Sequence, residues 1–150
     1  MSAAVVREAR SGEECVIVPM YEWLFASPGS LPSSWDEDRA AAALAAAIAA
    51  EDATVLLADD GGELCGYCTA YIDIDSVRFG RRCWVEDFAV DPGRRSQGIG
   101  ATLLDAAKEW GRAHGASHLE LDSGNARVDA HRFYEREGGV ATGKQFAWQL

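Results

Sequence analysis

The clearest periodicity in the chain lies at Ile99, Leu103, Ala106, Ala107 and Trp110. Steps of three and four residues put these side chains on one face and predict an amphipathic helix over Ile99–Ala113, closed by His114-Gly115. Shorter apolar runs bounded by turn residues predict strands at Ala4–Ala9, Thr54–Ala58, Leu64–Asp73, Cys83–Val90, Ser117–Asp122 and Gln145–Trp148. Asp59-Asp60-Gly61-Gly62 joins two of these into a hairpin. Ser11-Gly12-Glu13-Glu14 and Ser34-Trp35-Asp36-Glu37 have capping-box spacing. They predict a helix running to about Phe25 and an alanine-rich one running to about Ala50. Ser27–Ser33, with Pro28 and Pro32, is a loop between them. A last helix is expected at Val128–Arg136, stopped by Gly138-Gly139. The order β-α-α-β-β-β-α-β-α-β reads as an α/β fold with a mixed sheet.

At 150 residues the chain is expected to form one domain, 1–150. The run Ala40–Ala50 is too short to span a bilayer, and Met1–Arg10 lacks a signal-peptide core, so a cytoplasmic location is expected. The formal net charge of −10 speaks against a nucleic-acid partner and suits a cationic small molecule. Cys65-x-x-Cys68 is half of a zinc pattern. No second pair follows it, and on a strand positions three apart face opposite ways, so no metal site is expected.

The richest stretch for chemistry is Asp91-Pro92-Gly93-Arg94-Arg95-Ser96-Gln97-Gly98-Ile99-Gly100-Ala101, between a strand and a helix. A helix start offers unpaired N–H groups and a positive dipole end to a phosphate. Gly98 and Gly100 let the main chain approach the anion, and Arg94 and Arg95 add charge. Leu103 stands where a dinucleotide fingerprint needs glycine, and the Walker pattern is absent.

Arg95-Ser96-Gln97-Gly98-Ile99-Gly100 resembles the acetyl-CoA pyrophosphate loop of the GNAT superfamily, the GCN5-related N-acetyltransferases. Val85–Pro92 resembles that family's fourth strand, and Asp129–Gly138 its Ala-x-x-Phe-Tyr helix. The wording of the last run is similar to that of aminoalkylphosphonate acetyltransferases. Ser96 and Gly139 depart from the common pattern, and the second removes an aromatic usual near the acceptor.

The resemblance implies an acyl-CoA N-acyltransferase fold: a mixed central sheet, splayed fourth and fifth strands, and helices on both faces. It implies transfer of acetyl from acetyl-CoA to a primary amine of a small molecule, and a possible homodimer. Phe88, Ala89, Val90, Arg95, Ser96, Gln97, Gly98, Ile99, Gly100, Ala101, Asn125 and Arg132 are then expected at the cofactor. Tyr134 is expected as general acid, with core packing beside Phe133 as its alternative. Glu86 is expected as general base, with a strand salt bridge as its alternative. In a regular strand only one of Glu86 and Asp87 could face the cleft. Tyr21, Trp23, Trp35, Asp73 and Ser123 are expected near the acceptor. A sensor of acetyl-CoA without turnover, or a protein N-acetyltransferase, stays open on this reading.

Overall fold

The computed structural model describes residues 3–150; Met1 and Ser2 of the expected 1–150 domain lie outside the described residues. Strand β1 (Val5–Glu8) leads into three short helical pieces: α1 (Glu14–Ile17), a 3₁₀ turn (Val18–Tyr21) and α2 (Glu22–Phe25). The continuous helix expected here is broken because Pro19 has no N–H to give to the preceding turn. Then come α3 (Glu37–Ala49), β2 (Ala53–Asp60), β3 (Glu63–Ile72), β4 (Arg82–Val90), a 3₁₀ turn (Pro92–Arg94), α4 (Ile99–Ala113), β5 (His118–Glu120) and α5 (Val128–Arg136). Asp36, not Ser34, caps α3, accepting the Arg39 amide at 2.9 Å.

The five strands lie in the order β1-β2-β3-β4-β5, antiparallel except for the parallel β4–β5 pair. Alternation along β2 divides the core. Leu56 and Ala58 face α4 with Ile99, Leu103 and Ala107, while Val55 and Leu57 face the other way with Ile17, Tyr21 and Leu44. The helices therefore cover both faces of a mixed sheet, as the sequence suggests. Gly66 on β3 lets α4 sit close: a Cβ there would lie 2.8 Å from Leu103 Cδ1 and 3.3 Å from Ile99 Cγ2. The periodic face of α4 is thus seated at its first turn, and Leu103 is fully buried.

Two bulges break the alternation. In β3 the register against β2 shifts so that Cys65 is the extra residue, and Cys65 and Cys68 enter the same core cluster. They do not face opposite ways as a regular strand would require. Both are buried thiols, and Cys65 Sγ donates to the Ala58 carbonyl at 3.5 Å. No cluster of three or more potential metal ligands occurs among the described residues. No helix among them is long and apolar enough to cross a membrane.

The second bulge is in β4, where Thr69 pairs with Asp87 and Ala70 with Val85, leaving Glu86 as the extra residue. The expected strand Gln145–Trp148 does not form. Residues 139–150 have no regular structure, and Phe146 and Trp148 are 75% and 78% exposed. An isolated strand has no ladder to satisfy its amides, and no described strand lies against this segment.

Candidate active site

The pairing of β4 with β5 ends at Trp84 and Glu120. From Val85 to Val90 the outer edge of β4 therefore has no strand partner, while its inner edge is paired to β3 at every residue but Glu86. Phe88, Ala89 and Val90 lie on this open edge, the splay expected for a bound pantetheine arm. Helix α5 stands over it: the Phe88 ring centroid lies 6.0 Å from that of Phe133 and 6.2 Å from that of Tyr134.

At the end of β4 the chain turns into α4. Asp91 accepts the Gly93 amide at 2.9 Å and starts the turn. Ser96 at φ 64° and Gly98 at φ 79° bring the backbone round, and α4 begins with no side-chain cap. Among the described residues no bond is donated by the amides of Arg95, Ser96, Gln97 or Gly98. With the first-turn amides of Ile99, Gly100 and Ala101, they form a consecutive set of donors at the positive end of a 15-residue helix. A Cβ on Gly98 would meet nothing within 4 Å, so the cradle is open there.

Two residues of this loop act differently from expectation. Gly100 makes room for a ring: a Cβ there would lie 3.2 Å from Phe133 Cζ. Arg94 braces the loop from behind, bonding Asp60 at 2.5 Å and Gln97 at 3.0 Å, and is held by Glu63 as well. Arg95 is exposed and makes no ion pair among the described residues, so it is the loop cation open to an anion. The residues present fit a diphosphate.

Gly98→Trp is expected to reduce acetyl-CoA affinity at least tenfold without unfolding the chain, since the new side chain fills open space. Equilibrium binding checks this; unchanged affinity would move the phosphate site elsewhere. The strain of a non-glycine residue at this φ is only about 1–2 kcal/mol.

On the opposite face of the sheet, the β4 bulge has its main consequence. Because Glu86 is the extra residue, Glu86 and Asp87 turn to the same side instead of alternating. Both line a groove of about 270 Å³ whose other walls include Tyr21, Trp35, Leu44, Thr69 and Tyr71. Tyr21 stacks against Trp35 at 5.7 Å and Tyr67 at 4.8 Å, and its hydroxyl donates to Asp87 Oδ2 at 2.6 Å. The Asp87 amide donates to Thr69 Oγ1 at 3.0 Å, replacing the ladder bond that the bulge displaces. Burial raises the Asp87 carboxyl above the usual carboxylate range, Glu86 adds to the rise, and the Tyr21 hydroxyl partly opposes it. Glu86 is exposed and accepts the Trp84 indole N–H at 3.1 Å.

Tyr134 is half-buried, and burial pushes its phenol up to about 12. It therefore stays protonated across the physiological range. No side chain or carbonyl among the described residues bonds its hydroxyl. Among the described residues two buried side-chain oxygens have no hydrogen-bond partner, Tyr67 Oη and Ser123 Oγ.

The remaining expected residues scatter. Trp23 stacks on Tyr67 at 6.2 Å behind the groove. Asn125 is exposed in the turn before α5, and Arg132 is exposed and paired with Asp129 at 3.1 Å. Asp73 is held by Arg82 at 2.8 Å and is not among the groove-lining residues. The sequence reading did not single out Asp87 for the groove, because regular alternation allowed only one of the pair. Arg127, in the polar set at the start of the last helix, donates to the Leu24 carbonyl at 2.8 Å and ties the start of α5 to the end of α2. Gly29 sits under this tie, where a Cβ would lie 2.2 Å from the Leu24 carbonyl oxygen and 2.6 Å from Arg127 Nη2. Gly29→Ala must displace backbone, and we expect a loss of about 1–3 kcal/mol of stability, read by denaturant unfolding. A midpoint unchanged from the parent would show that this turn yields freely.

An open β4 edge leading to free amides at a helix start is the arrangement that the resemblance to the N-acyltransferases implies for an acyl-CoA. The sequence profile of the acetyltransferase (GNAT) family matches residues 17–139, and the chain belongs to that family. It is thereby an acetyl-CoA-dependent N-acetyltransferase by class. An uncharacterised N-acetyltransferase of Bacillus subtilis, YhfO, is 29% identical over 135 residues, spanning 89% of this chain and 87% of its own. An aminoalkylphosphonate N-acetyltransferase of Salmonella typhimurium is 46% identical over 54 residues, 36% of this chain and 35% of its own. The aminoglycoside N-acetyltransferase AAC(6')-Iy, solved in complex with CoA, superposes with a TM-score of 0.85 over 100% of this chain and 96% of its own. At 18% identity that likeness is one of fold.

Proposed function

We propose that the protein acetylates a primary amine of a small cationic molecule by direct attack on acetyl-CoA in a ternary complex. The observation that carries this reading is the β4 bulge, which turns Glu86 and Asp87 together into an aromatic-walled groove on the strand whose free edge leads to the amide cradle. Two carboxylates beside Tyr21 and Trp35 suit an ammonium group on an apolar or sugar-like body. A single domain carries the whole site, and the reading includes a cytoplasmic location and a homodimer.

The amides of Arg95–Ala101 hold the diphosphate, with Arg95 adding charge, and Arg132 is assigned to the cofactor as a further cation. Phe88–Val90 and Asn125 align the pantetheine arm, which brings the thioester carbon to the open edge of β4. The free amine attacks that carbon, and the new C–N bond forms as the carbonyl oxygen takes up negative charge. A backbone N–H of the β4 edge stabilises that oxygen. Asp87 takes the proton from the attacking nitrogen. Its raised pKa makes it a stronger base than an ordinary carboxylate, and Tyr21 holds it in place. Glu86, more exposed, draws in the cation and shares the relay. The C–S bond then breaks, and Tyr134 gives its proton to the departing thiolate. Exchange with water restores both groups, leaving an N-acetyl amine and free CoA. Trp23 backs the acceptor region through Tyr67, and Asp73 and Ser123 are assigned to its surroundings outside the groove.

The test is release of free CoA over a panel of polyamines, amino sugars, aminoalkylphosphonates and peptide amines. Turnover confined to the small amines is expected. Turnover on peptide N-termini alone, or acetyl-CoA binding with no release for any acceptor, would refute the proposal.

A further inference from the structure

The groove beside Glu86 and Asp87 has a further wall, and it comes from α3. Ala40, Ala43, Leu44 and Ala47 follow one another at steps of three and four, so they share one helix face, and all four line the groove. Leu44 alone in α3 is buried. Ala40 and Ala47 are half-buried, and Ala43 is exposed. A helix face pressed flat onto a sheet would bury the whole row. Here the row stands partly open, and three of its four side chains are single methyl groups. Larger residues at these positions would close the space. From Ala40 to Ala47 the row runs about 10 Å along the helix.

The charge of the groove comes from β4 alone, because Glu86 and Asp87 are its only ionisable acids or bases besides the phenols of Tyr21 and Tyr71. Neither carboxylate is in an ion pair among the described residues. The other polar groups there are largely engaged with each other. The Tyr21 hydroxyl donates to Asp87 Oδ2, and Thr69 Oγ1 accepts the Asp87 amide. The groove therefore has one acidic spot, and its remaining surface is methyl groups and the rings of Tyr21, Trp35 and Tyr71. That is the usual make-up of a small-molecule site, with an apolar wall for the body and a few polar groups for orientation.

Resting on the acetyl-transfer reading of this groove, we propose that its acceptor is a primary monoamine with a compact apolar body, an arylalkyl- or alkylamine, selected by the alanine face of α3. The ammonium group sits at Glu86 and Asp87, and the body lies along Ala40, Ala43 and Ala47. Sugar hydroxyls or a second ammonium group placed on that wall would give up water and gain no partner. A phosphonate would bring negative charge to a groove whose own charge is negative. Of the amines a groove of this kind could admit, the apolar monoamine is the one that every wall suits.

The test is calorimetric titration of the CoA-saturated protein with 2-phenylethylamine, spermidine, glucosamine and 2-aminoethylphosphonate at neutral pH. Phenylethylamine is expected to bind about tenfold or more tighter than each of the others, within what burial of a phenyl ring supplies. Ala43→Lys is expected to weaken phenylethylamine by a similar factor, with circular dichroism and acetyl-CoA affinity unchanged. Ala43 is exposed, so the fold does not depend on its side chain. A polar amine binding as tightly as phenylethylamine, no binding of phenylethylamine, or binding that Ala43→Lys leaves untouched would each overturn the assignment. The two readings fail differently. Faster CoA release with spermidine or glucosamine would keep acetyl transfer and remove the apolar acceptor. Tight phenylethylamine binding that responds to Ala43→Lys, without CoA release for any amine, would keep the groove's occupant and remove acetyl transfer.

Discussion

Asp87→Asn is expected to lower kcat/KM by about 10²–10⁴-fold, the usual worth of a positioned acid or base. The amide keeps the shape of the carboxylate and can still accept from Tyr21, so the groove stays intact, but it cannot take a proton. The pH dependence separates this role from a structural one. Because burial raises the Asp87 pKa, its ionised form is lost at a higher pH than for an ordinary carboxylate. In the wild type, activity should therefore fall as pH drops through that displaced value. In the Asn variant this acid limb should vanish along with most of the rate. Glu86→Gln is expected to act mainly on KM for the amine, since Glu86 is exposed and already accepts from Trp84. Should Glu86→Gln abolish the limb while Asp87→Asn keeps it, the two carboxylates would exchange roles.

Tyr134→Phe is expected to lower kcat by about 10²–10³-fold, with acetyl-CoA affinity within about twofold of the wild type. The ring remains, so its packing on Phe88 and Phe133 remains, and only the proton donor is lost. With its pKa raised to about 12, Tyr134 keeps its proton through pH 10. It should therefore impose no alkaline limb below that value, and the wild-type rate should stay flat where an ordinary phenol would titrate. The variant's deficit should narrow with acyl donors whose thiol is more acidic, since these need less help to leave. An equal deficit for all donors would reduce Tyr134 to a packing residue.

How far the sequence reveals these elements depends on whether local rules hold. Helix α4 is readable because Ile99, Leu103 and Ala107 repeat at the helical period and the loop before it has its glycines at a helix start. The open edge of β4 is implied by the family resemblance, and the short β5 provides it. What alternation could not give is the side to which Glu86 and Asp87 turn. A bulge inserts one residue and inverts every face beyond it, and nothing in Val85-Glu86-Asp87-Phe88 marks its place. The same device puts Cys65 and Cys68 on one face. Gly100 is readable as a glycine, but its reason, the Phe133 ring that a Cβ there would approach to 3.2 Å, belongs to α5, far along the chain. The strand at Gln145–Trp148 has a strand's pattern but no ladder within the chain. A pattern predicts a preference, and a partner is needed to realise it.

Amide NMR of the labelled protein during an acetyl-CoA titration addresses the central claim most directly: that main-chain donors at the start of α4 grip the diphosphate and so lay the thioester along β4. Saturable shifts at Ser96, Gly98, Ile99, Gly100 and Ala101, together with Phe88 to Val90, are the predicted outcome. Saturation of binding with those resonances unmoved, or with the shifts gathered at the Arg7–Asp59 side of the sheet, would contradict it.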